Sequence, residues 1–312
     1  MPRKLRFAHA EYQVRGHRFA GTGTLWDITT PVLDGLYLLR PDEDCRSIIY
    51  GVIGRALARW PFDVYAFHAM STHWHLLAAF PDLRIKARVM RFLNGEIARR
   101  INRLRGRTGP LFARRHQAIQ VLSDAHALDR IKYLLSQGTK AFVVRHPAED
   151  PFACANAALL LGRPLRGRWH GEGETVDYTV ELSPLPALAH LTRAEYRAAL
   201  RQLADDVARE QRPRRKKAGR RLMGPERART VDPWTRQTPG PRTPAPVVHG
   251  TEAQEADWRE AYGRARDAYT EATIAFRAWQ ADLGTVMIPW PPATLPPAFA
   301  ESEMARWARA GP

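Results

Sequence analysis

The chain has 312 residues, with 48 Lys and Arg against 32 Asp and Glu, a net charge of +16 and an isoelectric point near 10.5. That length buries a sizeable core and accommodates one domain plus an extension, and the charge favours a polyanionic partner, nucleic acid before any other. Two cysteines, Cys45 and Cys154, exclude a disulfide framework and a Cys-x-x-Cys zinc site; no run approaches the roughly 18 to 20 apolar residues of a membrane span, and Met1-Pro-Arg-Lys-Leu-Arg6 leads into no apolar signal region, so a soluble, cytoplasmic protein with no membrane partner is expected.

In chain order, the pattern predicts a strand from Tyr12 to Phe19, a short strand from Gly35 to Arg40, and a helix from Glu43 to Trp60 whose Ile48, Ile49, Val52, Ile53, Leu57 and Trp60 face a core. Val64–Met70 and His73–Phe80, rich in aromatic and aliphatic residues, read as two strands joined by Ser71-Thr72. A basic helix follows. Between Arg84 and Arg115 eleven Arg or Lys stand against one acid, Glu96, and an apolar stripe of Val89, Phe92, Leu93, Ile97, Ile101 and Leu104 leaves Arg88, Arg91, Arg99 and Arg103 facing outward. Such a face can be merely solvated, but its one-sided charge makes phosphate contacts the expectation, with affinity that depends on salt and is largely blind to sequence. Gln117–Val121 reads as a further strand, and Ala125–Leu135 as a helix with Leu128, Ile131, Leu134 and Leu135 on its apolar side. Antiparallel strands with packed helices make an α+β domain over residues 1–150.

Pro147-Ala-Glu-Asp-Pro151 is turn-like, and beyond it the character changes. Residues 151–210 read as a helical extension, with a short apolar helix Ala153–Leu161 and a longer one, Thr192–Glu210, carrying Tyr196, Leu200, Leu203 and Val207 at core spacing. Residues 211–250 read as a linker: nine cations against Glu226 between Arg212 and Arg229 suggest a flexible basic arm, and proline and glycine then dominate to Gly250. In 251–312, Thr251-Glu-Ala-Gln254 resembles a capping box opening a long helix with an aromatic seam of Trp258, Tyr262, Tyr269, Phe276 and Trp279. That seam is expected to dock on the protein's own core, a homodimer contact or a DNA-stacking surface being the other readings. Pro289–Pro297 is expected to run as an extended strap.

Two short motifs carry chemistry. Residues two apart on a strand project from one face, so His73 and His75 point together while Trp74 points away, and paired neutral imidazoles make half of a divalent-metal site. Alone, such a pair is more often two polar residues on a half-exposed strand. Tyr133 lies beside the stripe of its helix, with Gln137 one turn later on the same face. A phenol is a weak nucleophile at its ordinary pKa of about 10, but serves phosphoryl transfer when a cation polarises the phosphate. A lone helical tyrosine is more often a packing residue; the combination shifts the balance.

With these elements together the chain resembles the HUH single-strand DNA transposases that use one catalytic tyrosine, especially the REP-associated tyrosine transposases of bacteria. The matching elements run from about Ala8 to Asp150 in the family's order: Tyr12-Gln-Val-Arg-Gly-His-Arg18, Phe67-His-Ala-Met-Ser-Thr-His-Trp-His-Leu-Leu77, the arginine-rich helix ending Asn102-Arg-Leu-Arg105, Gly109-Pro-Leu-Phe-Ala-Arg-Arg115, and the tyrosine helix. The family usually has Asn where this chain has Thr72. Many relatives carry Asn where Gln137 stands, and Gln there is similar to the ligand of related insertion-sequence transposases.

The resemblance implies a ferredoxin-like antiparallel sheet with packed helices, the HUH endonuclease fold, whose central strands carry the histidine pair and whose tyrosine helix lies across the sheet's edge. It implies His73, His75 and Gln137 as ligands of Mg²⁺ or Mn²⁺ and Tyr133 as the nucleophile that cuts single-stranded or hairpin DNA, leaving a 5′-phosphotyrosine. Arg15, Arg18, Arg107, Arg114, Arg115 and Lys132 join the arginines of the basic helix as expected DNA contacts, in a bacterial, nucleoid-associated protein. Two alternatives stay open: a domesticated hairpin-binding protein of the same fold that no longer cuts, and a metal hydrolase using His68 with His73 and His75.

Overall fold

The computed structural model describes residues 5–10, 12–171, 173–238, 246–281, 289–297 and 300. The elements run β1 (Val14–Arg15), β2 (Thr22–Pro31), α1 (Glu43–Arg59), β3 (Asp63–Met70), β4 (His73–Phe80), α2 (Leu83–Leu104), β5 (Gln117–Val121), α3 (Asp124–Leu135), α4 (Gln137–Lys140), β6 (Ala153–Cys154), α5 (Asn156–Leu161), β7 (Leu165–His170), β8 (Thr175–Val180), α6 (Arg193–Ala218), α7 (Pro225–Thr230), β9 (Val248–His249) and α8 (Glu252–Ala281). The main sheet has the order β6-β3-β4-β2-β5-β9, with β1 hydrogen-bonded to β2. Within it β2-α1-β3-β4-α2-β5 forms the antiparallel split βαβ arrangement with strand order β3-β4-β2-β5, the α+β sandwich expected from the sequence and, in its ferredoxin-like order, from the resemblance.

Local chemistry fixes the helix starts. Asp42 accepts from the Cys45 amide at 2.9 Å to open α1, Asp82 from Ile85 at 2.7 Å to open α2, and Ser123 from His126 at 3.3 Å to open α3. Helices α1 and α2 cover the back of the sheet: Tyr50 of α1 meets Phe67 edge-on, and Asn94 of α2 accepts from the Trp74 indole at 3.1 Å. Helix α3 covers the front, where its Tyr133 ring sits 5.5 Å from His75, so it lies on the sheet's face rather than across its edge.

The first strand is shorter than its sequence suggests. Asp63, fully buried, accepts from the backbone amides of His17 at 2.8 Å and Arg18 at 3.0 Å, which removes both from any ladder and leaves only Val14–Arg15 paired. The expected strand Gly35–Arg40 is absent. Asp34 and Gly35 adopt left-handed φ values of 54° and 63°, and the amides of Tyr37 and Leu39 bond to Thr235 and Ser71 instead. The long central strand is β2, which reads poorly as an alternating pattern because nearly all of Gly23 to Thr30 is buried.

Beyond residue 150 the chain returns to the same sheet twice, β6 pairing with β3 and β9 running parallel to β5. Between them, β7 and β8 form a hairpin against α1 through glycines: a Cβ on Gly51 would stand 2.3 Å from the Arg168 carbonyl oxygen. The basic run expected as a flexible arm is, as far as Ala218, the C-terminal part of α6, which passes through Pro213 and ends at Gly219 in a left-handed φ of 60°. Part of the expected proline-rich linker, residues 239–245, and of the C-terminal tail, residues 282–288, 298–299 and 301–312, lies outside the described residues. The aromatic seam of α8 docks on the chain itself, with Trp258 and Tyr262 against Phe7 at 5.8 and 5.9 Å and Tyr269 against Trp290 at 5.0 Å. The strap is held by an Ala8 amide bond to the Ala293 carbonyl at 3.1 Å. No helix among the described residues is long and apolar enough to cross a membrane.

Candidate active site

Register on the front of the sheet brings the polar groups together. In the ladder β3-β4-β2, His68 lies opposite His75 and His75 opposite Thr29; Asp27 and His73 share the same face two residues away. The His73 and His75 rings stand 4.8 Å apart, edge to face. Each is held at Nδ1 by a hydroxyl: Thr29 Oγ1 at 2.8 Å from His75 and Thr72 Oγ1 at 3.0 Å from His73. Thr72 also donates to Gln237 Oε1 at 3.0 Å, so this threonine is itself held in place as it fixes the first imidazole.

Both imidazoles are kept neutral. Burial, then the neighbouring His68, pushes His73 down to about 4, while burial, then His73, His68 and the cations Arg130 and Lys140, holds His75 well below the ordinary histidine range. Nε2 of His75 is buried without a hydrogen-bond partner. A buried, unpartnered imidazole nitrogen is costly unless something occupies it.

Gln137 begins α4 directly after α3, separated from Leu135 only by Ser136, and its Nε2 donates to the Tyr133 carbonyl at 3.0 Å. The same side chain bonds His73. The structure thus gathers His73, His75, Gln137 and Tyr133 at one place. Two imidazoles already neutral, so that no proton has to be displaced from the ligating nitrogens, and one amide oxygen fit a divalent cation.

A second group lies next to it. His68 Nε2 stands 2.9 Å from Asp150 Oδ2, both side chains fully buried, and with Cys154 they place three ligand-type atoms within 4.8 Å of one another, an arrangement that could hold a metal. Burial and Asp150 hold the Cys154 thiol well above its ordinary range, so metal binding there would require expelling a proton. The sequence gives His68 a role only in the alternative hydrolase reading and assigns none to Cys154; their approach depends on β6 pairing with β3.

Charge around Tyr133 comes from residues other than those the basic helix suggested. The Arg130 guanidinium lies 4.9 Å and the Lys140 ammonium 4.4 Å from the centre of the Tyr133 ring. Lys132 is on the same helix, paired with Glu210 of α6 at 2.5 Å. Arg88, Arg91, Arg99 and Arg103 belong to α2, behind the sheet, where all four are exposed and Arg99 pairs with Glu96. Arg107 is bound to Asn102 and the Pro110 carbonyl. Arg114 and Arg115, both exposed, are in a loop whose Ala113 amide bonds Pro31 at 3.0 Å, opposite His73, so that loop runs at the histidine end of the sheet. Arg15 is exposed on β1, and Arg18 is tied to Glu181 and the Leu57 carbonyl at 3.1 Å each.

Sequence reasoning missed Arg130 and Lys140, although their offsets of three before and seven after Tyr133 would place them on its helical face. It also missed Asp27, whose Oδ2 accepts from His249 Nε2 at 3.1 Å and faces Arg130 at 3.6 Å. No local signal links Asp27 to His249, which lies 222 residues further on.

No protein-family model matches the chain, and no curated protein matches it. Among solved structures it is similar to a REP-associated tyrosine transposase bound to a REP hairpin, with 15% sequence identity over 56% of this chain and 98% of that chain and a TM-score of 0.36.

Proposed function

We propose that the protein is a metal-dependent single-strand DNA endonuclease and strand transferase that works through a covalent tyrosine intermediate. The observation that carries this reading is the convergence on one sheet face of two neutral imidazoles 4.8 Å apart, one with an unpartnered buried Nε2, and a tyrosine ring 5.5 Å from it. His73, His75 and Gln137 are the residues that would hold Mg²⁺ or Mn²⁺. When bound, the ion supplies Lewis-acid polarisation of a phosphoryl oxygen. Thr29 and Thr72 orient the two imidazoles through their Nδ1 atoms, leaving the other nitrogens directed away from the hydroxyls.

Tyr133 loses its phenolic proton and its oxygen forms a bond to phosphorus, while the bond from phosphorus to the 3′ oxygen breaks and that oxygen takes up a proton. The products are a 5′-phosphotyrosine and a free 3′-OH. Because the new ester keeps the energy of the broken one, a second 3′-OH reverses the attack without ATP. Helix α3 holds the nucleophile, and the Gln137 amide tied to the Tyr133 carbonyl couples ligand and nucleophile through the α3–α4 junction. The motif resemblance supplies the form of the substrate: hairpins with short single-stranded flanks.

The test is incubation of the full chain with labelled single-stranded hairpins in Mn²⁺ or EDTA, followed by denaturing electrophoresis. A metal-dependent protein–DNA adduct is expected, lost in Tyr133→Phe. Equal cleavage by Tyr133→Phe would sink the mechanism, and tight hairpin binding with intact DNA would leave a DNA-binding protein of the same fold.

A further inference from the structure

The cations beside Tyr133 outnumber their partners. Arg130, Lys132 and Lys140 come from α3 and α4, and Arg214 of α6 is close enough to act on Lys140. Of the acids here, Glu210 is committed to Lys132 at 2.5 Å, and Asp27 is shared between Arg130 at 3.6 Å and His249 at 3.1 Å. Lys140 makes no ion pair among the described residues, Glu210 acting on it only from a distance; its ammonium lies over the Tyr133 ring. Burial, then the positive charges of Arg214 and Arg130, holds that ammonium below the ordinary lysine range. Half-buried like charges repel most where water screens them least, so a cluster of this kind is stabilised by an anion.

We infer that Arg130 and Lys140 form a phosphate seat around Tyr133, and that the C-terminal segment braces it, His249 of β9 holding Asp27 and Asp27 holding Arg130. The fork of Arg130 suits two phosphoryl oxygens, and Lys140, also over the Tyr133 ring, adds a point charge. Nε of Arg130 is buried without a partner, which leaves the guanidinium a donor to spare. The pairing of β9 with β5 at Val121 and His249 supplies the brace from beyond the ferredoxin-like unit. Identifying the bound group with the scissile phosphate rests on the reading of Tyr133 as nucleophile; binding of phosphate does not.

Thermal unfolding and calorimetry of the full chain with inorganic phosphate, against chloride at equal ionic strength, test the seat. Saturable stabilisation of wild type by phosphate is expected, with affinity about tenfold weaker in Arg130→Gln/Lys140→Gln and unchanged in Arg259→Gln/Arg264→Gln, which removes the same charge from exposed positions on α8. His249→Ala weakens phosphate binding several-fold, and His249→Gln, whose amide can still donate to Asp27, weakens it less. Unfolding in chloride shows whether each variant is folded. Equal phosphate affinity in wild type and the Arg130→Gln/Lys140→Gln variant overturns the seat; phosphate affinity lost in the variant with adduct formation at equal rates by both on hairpin DNA overturns its identification with the scissile phosphate. Phosphate binding lost in the double variant, with no adduct from wild type, keeps the seat and removes the nuclease.

Discussion

Thr29 shows how one hydroxyl can govern a proposed metal site it does not enter. Its Oγ1 at 2.8 Å from His75 Nδ1 fixes the plane of an imidazole that is only 4% exposed, and that ring's other nitrogen is the unpartnered one. Thr29→Val keeps the shape and the strand preference of the side chain but strands Nδ1 in a place water does not reach, a cost of about 1–3 kcal/mol. Loss of an orienting partner of this sort also weakens metal affinity by roughly 10- to 100-fold. Thr29→Val is therefore expected to lower the melting temperature and to weaken Mn²⁺ binding measured by titration calorimetry, with Thr29→Ser recovering both. Wild-type Mn²⁺ affinity in Thr29→Val would mean that His75 is not a ligand. Because burial keeps His73 near a pKa of about 4, that ring enters the titration at pH 7 already deprotonated.

Two glycines in helix interiors test how the elements pack. Gly95 of α2 has nothing within 4 Å of a Cβ, so Gly95→Ala recovers helix propensity and is expected to add about 1 kcal/mol. Gly51 of α1 is pressed against β7, where a Cβ would stand 2.3 Å from a carbonyl oxygen that cannot swing aside, and Gly51→Ala is expected to cost about 1–3 kcal/mol net of the same propensity gain. Denaturant unfolding of the pair reads both signs; a stabilised Gly51→Ala would mean that the β7–β8 hairpin does not rest on α1. The hairpin was also invisible in the sequence, although Leu165, Gly167 and Trp169 are buried and Arg166, Arg168 and His170 exposed in strict alternation. A glycine in the middle and arginines at every second place hide a strand whose packing partner is backbone. By contrast β3, β4 and α3 were legible because their chemistry depends on local period: His73 and His75 two apart, Tyr133 and Gln137 four apart. Strand β2 was not, because a central strand buried on both faces carries no alternation, and the Asp27–His249 and His68–Cys154 pairings depend on strand neighbours far apart in the chain.

At the scale of the whole molecule the positive charge is divided between two faces. The sheet separates the α2 arginines from Arg130, Lys132 and Lys140, so a short single strand at Tyr133 does not reach both. On the proposed function, a hairpin with a flank would reach both, its stem laid on one side and the strand to be cut on the other. The two sets then act on different quantities. The triple variant Arg88→Gln/Arg91→Gln/Arg99→Gln is expected to weaken hairpin affinity at low salt by roughly 10- to 100-fold. It should also reduce the slope of log K against log salt by about 3, three phosphate contacts on the duplex stem at about 0.9 each. The loss falls on binding, because none of the three is near the reacting groups. Lys140→Gln is expected to do the reverse, slowing adduct formation at saturating DNA while changing the salt slope by less than one. Filter binding across a salt series and single-turnover adduct rates separate the two patterns. If the triple variant binds with wild-type affinity and slope, the back of α2 is a solvated surface, and the DNA is confined to the face that carries Tyr133.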